Sequence, residues 1–231
     1  RVKEGLLQDL LTRGLPGHTR FKQTEIGEIP EEWEVRQVGS LIVGNPTNGL
    51  SPKEADSGVP TFSIAAIRNG RIDITENLKY ADVDPESSKH FRVKTGDILL
   101  VRGNANPAYV GSAGVVLNHP EGCIYPDILM RLVPCEQVDP IFLLLSINSR
   151  LGHDQLLKKA KTTNGTLKVN GQDVQTTKLP LPSLAEQRSI VEQVTSASDA
   201  GSVASHCLSR LTSLKAGLLQ DLLTGKVRVT P

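Results

Sequence analysis

Arg102-Gly103-Asn104-Ala105-Asn106-Pro107-Ala108-Tyr109 places a guanidinium, two amides and a phenol in one short stretch between two segments rich in strand formers. These groups suit the edges of base pairs, because Arg forks onto guanine and Asn pairs with adenine in the major groove. The same letters also suit a plain strand connection, since Asn favours turns. A second stretch runs Lys158-Lys159-Ala160-Lys161-Thr162-Thr163-Asn164-Gly165-Thr166-Leu167-Lys168. Cations at a helix end, followed by hydroxyls and the amide of Asn164, suit phosphate positioning. The alternative is a solvated helix end whose Lys side chains favour the helix dipole. Arg68 and Arg71 flank Asn69-Gly70, a strong signal for a two-residue hairpin, and either reach a ligand or solvate the turn. The polar loop Asn45 to Lys53 is a weaker candidate.

Other chemistry finds little support. No Gly-x-x-x-x-Gly-Lys loop is present, no Gly-x-Gly-x-x-Gly follows a strand, and His18, His90, His119, His153 and His206 lack metal spacing. Asn106-Pro107-Ala108-Tyr109 comes within one residue of the Asn-Pro-Pro-Tyr motif of adenine methyltransferases. The second proline is missing, and no Gly-rich strand-turn-helix lies upstream to hold a methyl donor. Cys123, Cys135 and Cys207 form an odd set without C-x-x-C spacing. They are expected to pack as small apolar residues in a reducing cytoplasm.

The elements that must position these groups are readable from punctuation and period. Ser183 and Glu186 form a capping box behind Pro180 and Pro182. The Ser oxygen should accept from the N3 backbone N–H while Glu186 reaches back to the cap N–H. Ile190, Val194, Leu208, Leu211, Leu218 and Leu222 recur at helical spacing, and Gly225 is a natural stop. A helix over 183–225 would be about 60 Å long, too long for one small domain to cover. It is expected to pack antiparallel with a second helix, either residues 1–12 or the long helix of a twin chain. Gly5-Leu6-Leu7-Gln8-Asp9-Leu10-Leu11-Thr12 repeats Gly217 to Thr224 letter for letter. Such an identity marks one period of a larger plan.

Residues 1–12 therefore read as the end of a spacer helix, 13–30 as a Gly/Pro-rich linker and 31–182 as the globular body. Trp33 is expected to anchor the linker in that body. Strands are expected at 59–67, 97–101, 109–117, 124–133 and 174–179, with bulges at Gly111 and Gly114. A helix capped by Asp139 with Pro140 at N1 should bend or pause at Gly152. Strands with helices at the edge and end give an α+β class, a mixed β-sheet domain with a short N-terminal and a long, coiled-coil-like C-terminal helix.

Of 231 residues, 38% are hydrophobic and 22% charged, and no apolar run nears the length of a membrane span. The first residue is Arg1 and the only Met is Met130, so a piece of a longer product is expected. Net charge is +1, and the body from Glu31 to Pro180 holds 16 basic and 17 acidic residues. Tight DNA binding by this chain alone does not follow from such a balance.

The entry Leu-Pro-Leu-Pro-Ser-Leu-Ala-Glu-Gln-Arg-Ser-Ile-Val and the exit Leu-Leu-Gln-Asp-Leu-Leu-Thr-Gly-Lys-Val-Arg-Val of the long helix resemble the specificity subunit of type I restriction-modification systems. Thr24-Glu25-Ile26-Gly27-Glu28-Ile29-Pro30-Glu31-Glu32-Trp33 and Lys94-Thr95-Gly96-Asp97-Ile98-Leu99-Leu100-Val101-Arg102-Gly103 resemble parts of that family's target-recognition domain. A full family member has two such domains, so this chain looks like half a subunit, the C-terminal half. The resemblance implies a non-catalytic reader of one half of a split double-stranded DNA site. It tips the Arg102–Tyr109 loop toward contact. It implies methylation (M) subunits and a restriction (R) subunit as partners, with S-adenosylmethionine, ATP and Mg on those partners and none on this chain. A half-subunit could complete itself by homodimerising through the long helix. The rival class is a helix-mediated assembly module whose body binds another protein; a methyltransferase fragment comes third.

Overall fold

The computed structural model describes residues 2–68, 70–72, 78–163 and 165–197. At its centre lies Ile98–Val101, an uninterrupted apolar run whose four side chains are all buried. A strand sends alternate side chains to opposite faces. Here Ile98 and Leu100 enter one hydrophobic cluster while Leu99 and Val101 enter another. Both faces are covered, so the run reads as continuous rather than alternating. The strand sits third in a six-stranded sheet ordered Thr47–Asn48, Leu129–Leu132, Ile98–Val101, Ala113–Val115, Arg71–Ile72 and Ile67–Arg68. Its turn of entry is closed by Asp97, whose carboxylate accepts the Lys94 N–H at 2.8 Å while Gly96 takes φ +94°. Burial pushes the Asp97 carboxyl up, against that hydrogen bond and the charge of Arg131.

Helix α1 spans Val2–Arg13, α2 Pro140–Asn148, α3 Arg150–Lys159 and α4 Gly171–Gln175, and a fifth helix, α5, is described over 184–197. As expected, Asp139 caps α2, with Oδ1 accepting from Ile141 N at 2.9 Å and Phe142 N at 3.1 Å. Asn148 ends it by clasping the strand edge: Oδ1 accepts from Ala113 N and Nδ2 donates to Ala113 O, each at 2.9 Å. The pause between helices falls at Ser149, not Gly152, because the Ser149 hydroxyl caps the next helix through Gly152 N at 3.2 Å. Gly152 serves close packing instead. A Cβ there would lie 2.4 Å from Ser146 O.

Several strand expectations are corrected. Residues 174–179 do not form one strand, because Asn170 and Asp173 make a reciprocal capping box and start α4; the strand is Lys178–Leu181, paired with Glu34–Gln37. Within 109–117 only Ala113–Val115 is strand, preceded by a 3-10 turn over Pro107–Tyr109 and by Gly111 at φ +80°. Within 124–133 only Leu129–Leu132 forms a strand, and within 59–67 a 3-10 turn over Ile64–Ala66 breaks the run. Arg68 pairs with Arg71 around Asn69-Gly70, as the hairpin signal predicts. The stretch read as a linker holds an antiparallel hairpin, Phe21–Thr24 with Gly27–Pro30, whose Ile29 is buried.

Leu10 and Leu11 of α1 share one hydrophobic cluster with Ile190 and Val194 of α5, Ile29 and Trp33. That places the end of α1 on the body, against the Gly27–Pro30 strand. Leu208, Leu211, Leu218, Leu222 and the stop at Gly225 lie outside the described residues. No described helix is long and apolar enough to cross a membrane.

Cys123 is fully buried, and burial pushes its thiol up to about 12. Cys135 is only half-buried, which departs from the expectation that all cysteines are core. Alkylation follows thiolate and access. Iodoacetamide at neutral pH should label Cys135 in the native protein and leave Cys123 untouched until denaturant is added. Mass spectrometry showing equal labelling of both would contradict this packing.

Candidate nucleic-acid interface

Two of the sequence candidates, some sixty residues apart, meet in one small sheet. Gly103–Asn104 pairs with Thr166–Lys168, which pairs in turn with Lys161–Thr163. The register sets Gly103, Lys168 and Lys161 in one row and Asn104, Leu167 and Thr162 in the next. Cross-strand partners share a face. Leu167 packs on the core, so Lys161 and Lys168 stand together on the opposite face. Gly103 makes room for Lys168: a Cβ there would lie 2.8 Å from Lys168 Cγ and 3.2 Å from Leu167 O. Thr163 pairs with Thr166 around Asn164-Gly165, with Gly165 at φ +74° in open space. This second Asn-Gly signal lay in plain view in the sequence, masked by the helix-end reading of the lysines before it.

The loop between Asn104 and Ser112 is built by its own side chains. Asn104 Oδ1 accepts from Asn106 N at 2.9 Å, and Asn106 Oδ1 accepts from Ala108 N at 3.0 Å. Asn106 thereby caps the Pro107–Tyr109 turn, and Tyr109 stands 54% exposed at its end. Ser112 Oγ donates to Ala108 O at 3.1 Å. Gly111 seats the loop on α3, since a Cβ there would lie 2.9 Å from Leu156 Cδ1. Arg102 holds both neighbours with its backbone: its N–H donates to Ile128 O and its C=O accepts from Val169 N, at 2.8 and 2.9 Å. A rigid site on ladder-bonded backbone holds its side chains more exactly in place than a free loop would.

Not every candidate lysine faces out. Lys159 Nζ donates to Asp173 O at 3.1 Å, Thr176 Oγ1 at 3.0 Å and Thr177 Oγ1 at 3.3 Å. An ammonium has three N–H groups, and all three are spent inside the fold. Desolvation lowers the Lys159 pKa, partly opposed by the charge of Asp173. Its role is to pin the base of the Lys161–Lys168 hairpin to α4. Lys158 and Lys161 are exposed and Lys168 half-exposed, and among the described residues none of them, nor Arg102, has a carboxylate partner. The side chains of Arg68, Arg71 and Thr163, and Asn164 altogether, fall outside what is described.

The join between body and α5 carries groups that sequence reasoning assigned elsewhere. Glu186 N donates to Ser183 Oγ at 3.3 Å, so half of the expected capping box forms. The Glu186 carboxylate turns away from the cap. It accepts from Trp33 Nε1 at 3.0 Å and Leu15 N at 3.3 Å, and meets His18 Nε2 at 2.7 Å. Gln187, fully buried, accepts from Asp139 N at 2.8 Å and donates to Pro182 O at 2.9 Å and Gln137 O at 3.3 Å. Adjacent residues of one helix turn thus grip the hairpin region on one side and the α2 entrance on the other. The helix direction is fixed relative to the body.

Among the described residues no group of His, Cys, Asp and Glu is placed to hold a metal ion. The Asn106 amide oxygen, which a methyltransferase motif would turn to a base, is instead turned to the backbone.

Known proteins resemble this chain in sequence and in fold. The family model for the type I restriction modification DNA specificity domain matches residues 30–200. The EcoKI specificity subunit of a type I restriction enzyme from Escherichia coli K12 is 26% identical over 220 residues, covering 92% of this chain and 44% of that protein. The MjaVIII specificity subunit from Methanocaldococcus jannaschii is 26% identical over 235 residues, covering 99% and 54%. The chain spans about half the length of these relatives. The crystal structure of the HsdS subunit from Thermoanaerobacter tengcongensis aligns with a TM-score of 0.61 at 20% identity, over 98% of this chain and 51% of that one. A chain from a study of assembly and conformational transition of the type I R-M system aligns at 0.66 and 19% identity, over 95% and 50%. At such identities the structural likeness shows the α+β fold.

Proposed function

We propose that this chain, which belongs to the family of the type I restriction modification DNA specificity domain, reads one half of a split double-stranded DNA site and holds catalytic partners over it. The observation that supports this best is the joining of the Arg102–Tyr109 loop and the Lys161–Lys168 hairpin in one sheet. A two-stranded ribbon fits the major groove. Lys158, Lys161 and Lys168 contact phosphates, the last two from one face of the small sheet, while Arg102 and Asn104, with Asn106 and Tyr109 in the loop that follows, approach the bases from its other side; Arg68 and Arg71, paired across a turn, are further candidates. Lys159 leaves the contact set because its donors are used internally.

The chain itself is not catalytic. Methylation subunits bring S-adenosylmethionine, and a restriction subunit brings ATP and Mg. Both assemble in the cytoplasm along the α5 helix and its continuation. Two copies joined through that helix would read a symmetric interrupted site. The near-neutral charge fits a reader whose partners supply part of the phosphate contact.

The test is reconstitution. The chain with its cognate methylation subunits should methylate adenine at a defined interrupted sequence and shift duplexes carrying it. The chain alone should transfer no methyl group from labelled donor. Methyl transfer by the isolated chain, or a complex that binds other proteins but shifts no DNA, would overturn the proposal.

A further inference from the structure

We infer that the Arg102–Asn106 loop selects a guanine edge, because its polar side chains are turned to donate hydrogen bonds rather than to accept them. This rests on the proposal that the loop lies in a DNA groove. Only the oxygen of a carboxamide can accept a backbone N–H. The bonds from Asn106 N and Ala108 N therefore decide which way the two amides face. Each oxygen is turned back into its own turn. Each Nδ2 is left as the free end, with no acceptor among the described residues. Arg102 adds a guanidinium, which has donors only.

Base edges differ in what they ask for. An Asn that reads adenine must lay its oxygen on N6–H and its nitrogen on N7 side by side. With each oxygen turned back to its own turn, neither Asn104 nor Asn106 lays oxygen and nitrogen side by side on a base edge. Cytosine presents the N4 donor, which neither a guanidinium nor an amide NH2 can meet. Guanine presents two acceptors, N7 and O6, and matches the fork of Arg102 with an amide NH2 beside it. The hydroxyls of Tyr109 and Thr162 turn either way and discriminate less. The adenine-reading role that the letters Asn104 and Asn106 suggest is thus replaced by a turn-making oxygen and a donating nitrogen.

The complex with methylation subunits tests this. Sequencing of methylated sites in cells carrying the chain defines the half-site. Duplexes are then made with 7-deazaguanine replacing each guanine in turn, which removes the N7 acceptor and leaves base pairing intact. One such replacement should weaken binding about tenfold or more. Arg102→Lys, which keeps the charge and loses the fork, should bind both duplexes alike. Asn104→Asp and Asn106→Asp retain the turn oxygen and remove the donor. They should lose discrimination at one base pair beyond any uniform weakening from the added charge. A half-site without guanine on either strand, tolerance of every 7-deazaguanine, or full discrimination by Arg102→Lys would each overturn the inference while leaving DNA recognition standing. A wild-type complex that shifts no DNA overturns the parent proposal as well, so the two failures are told apart.

Discussion

Trp33→Ala should lower the unfolding free energy by about 3–5 kcal/mol, the range for removing a buried aromatic from a packed core. The indole is 1% exposed, packs edge-on against His18 with ring centroids 6.0 Å apart, and donates to the Glu186 carboxylate. Its loss leaves a cavity where the chain entering the body meets α5. Glu186→Ala should cost about 1–3 kcal/mol, because the indole N–H and the Leu15 N–H lose their acceptor. Trp33→Phe keeps most of the volume and loses only the donor. Combined with Glu186→Ala it should cost less than the two changes summed, since both remove the same bond. Urea unfolding followed by circular dichroism reads each value. A loss under 1 kcal/mol for Trp33→Ala would mean that the joint does not hold the helix to the body. The same joint sets the direction in which α5 leaves, so in the complex Trp33→Ala should also lower methylation of the split site more than it lowers binding to a half-site duplex.

Replacing Lys158, Lys161 and Lys168 together by Ala should weaken the assembled complex on every DNA sequence alike. Each lost phosphate contact removes about 0.9 from the slope of log K against log salt, so the triple variant should be flatter by roughly three. Base preference should persist, because phosphate contacts position and base contacts specify. Lys159→Ala is the control. Its ammonium serves Asp173 O, Thr176 Oγ1 and Thr177 Oγ1, so the change should lower stability by about 1–3 kcal/mol with the salt slope intact. Titration by fluorescence anisotropy between 50 and ~300 mM salt separates the two, since that range spans the steep part of counterion release. A slope unchanged by the triple substitution would remove the hairpin from the interface. A slope changed by Lys159→Ala would return that residue to it.

Local signals determined a good deal here. Asp139-Pro140 starts a helix because the carboxylate caps and Pro needs no N–H partner. Ile98–Val101 is a buried strand because four apolar residues in a row need cover on both faces. Asn69-Gly70 turns a hairpin because Gly accepts φ +76° without a Cβ clash. Trp33 anchors the entry to the body because so large an apolar side chain gains most from burial. The motifs at both ends and the middle carried the family, and with it the function proposed here.

What tertiary structure decided is where polar side chains spend their hydrogen bonds. Glu186 looked like a capping-box acid; Trp33, Leu15 and His18, all more than 150 positions away in the chain, claim its carboxylate instead. Lys159 and Lys161 are two letters apart and alike in sequence. One turns in to Thr176 and Thr177, and the other stands on an open sheet face, because helix α3 ends between them and the strand alternation begins. Asn104 and Asn106 looked like base readers, yet their oxygens close turns. Their composition was legible and their orientation was not. A hydrogen bond binds a donor to whatever acceptor the fold brings within 3 Å, and no local pattern records which strand will be the neighbour. The pairing of Gly103–Asn104 with Thr166–Lys168, which joins two distant segments in one sheet, is a long-range event of that kind.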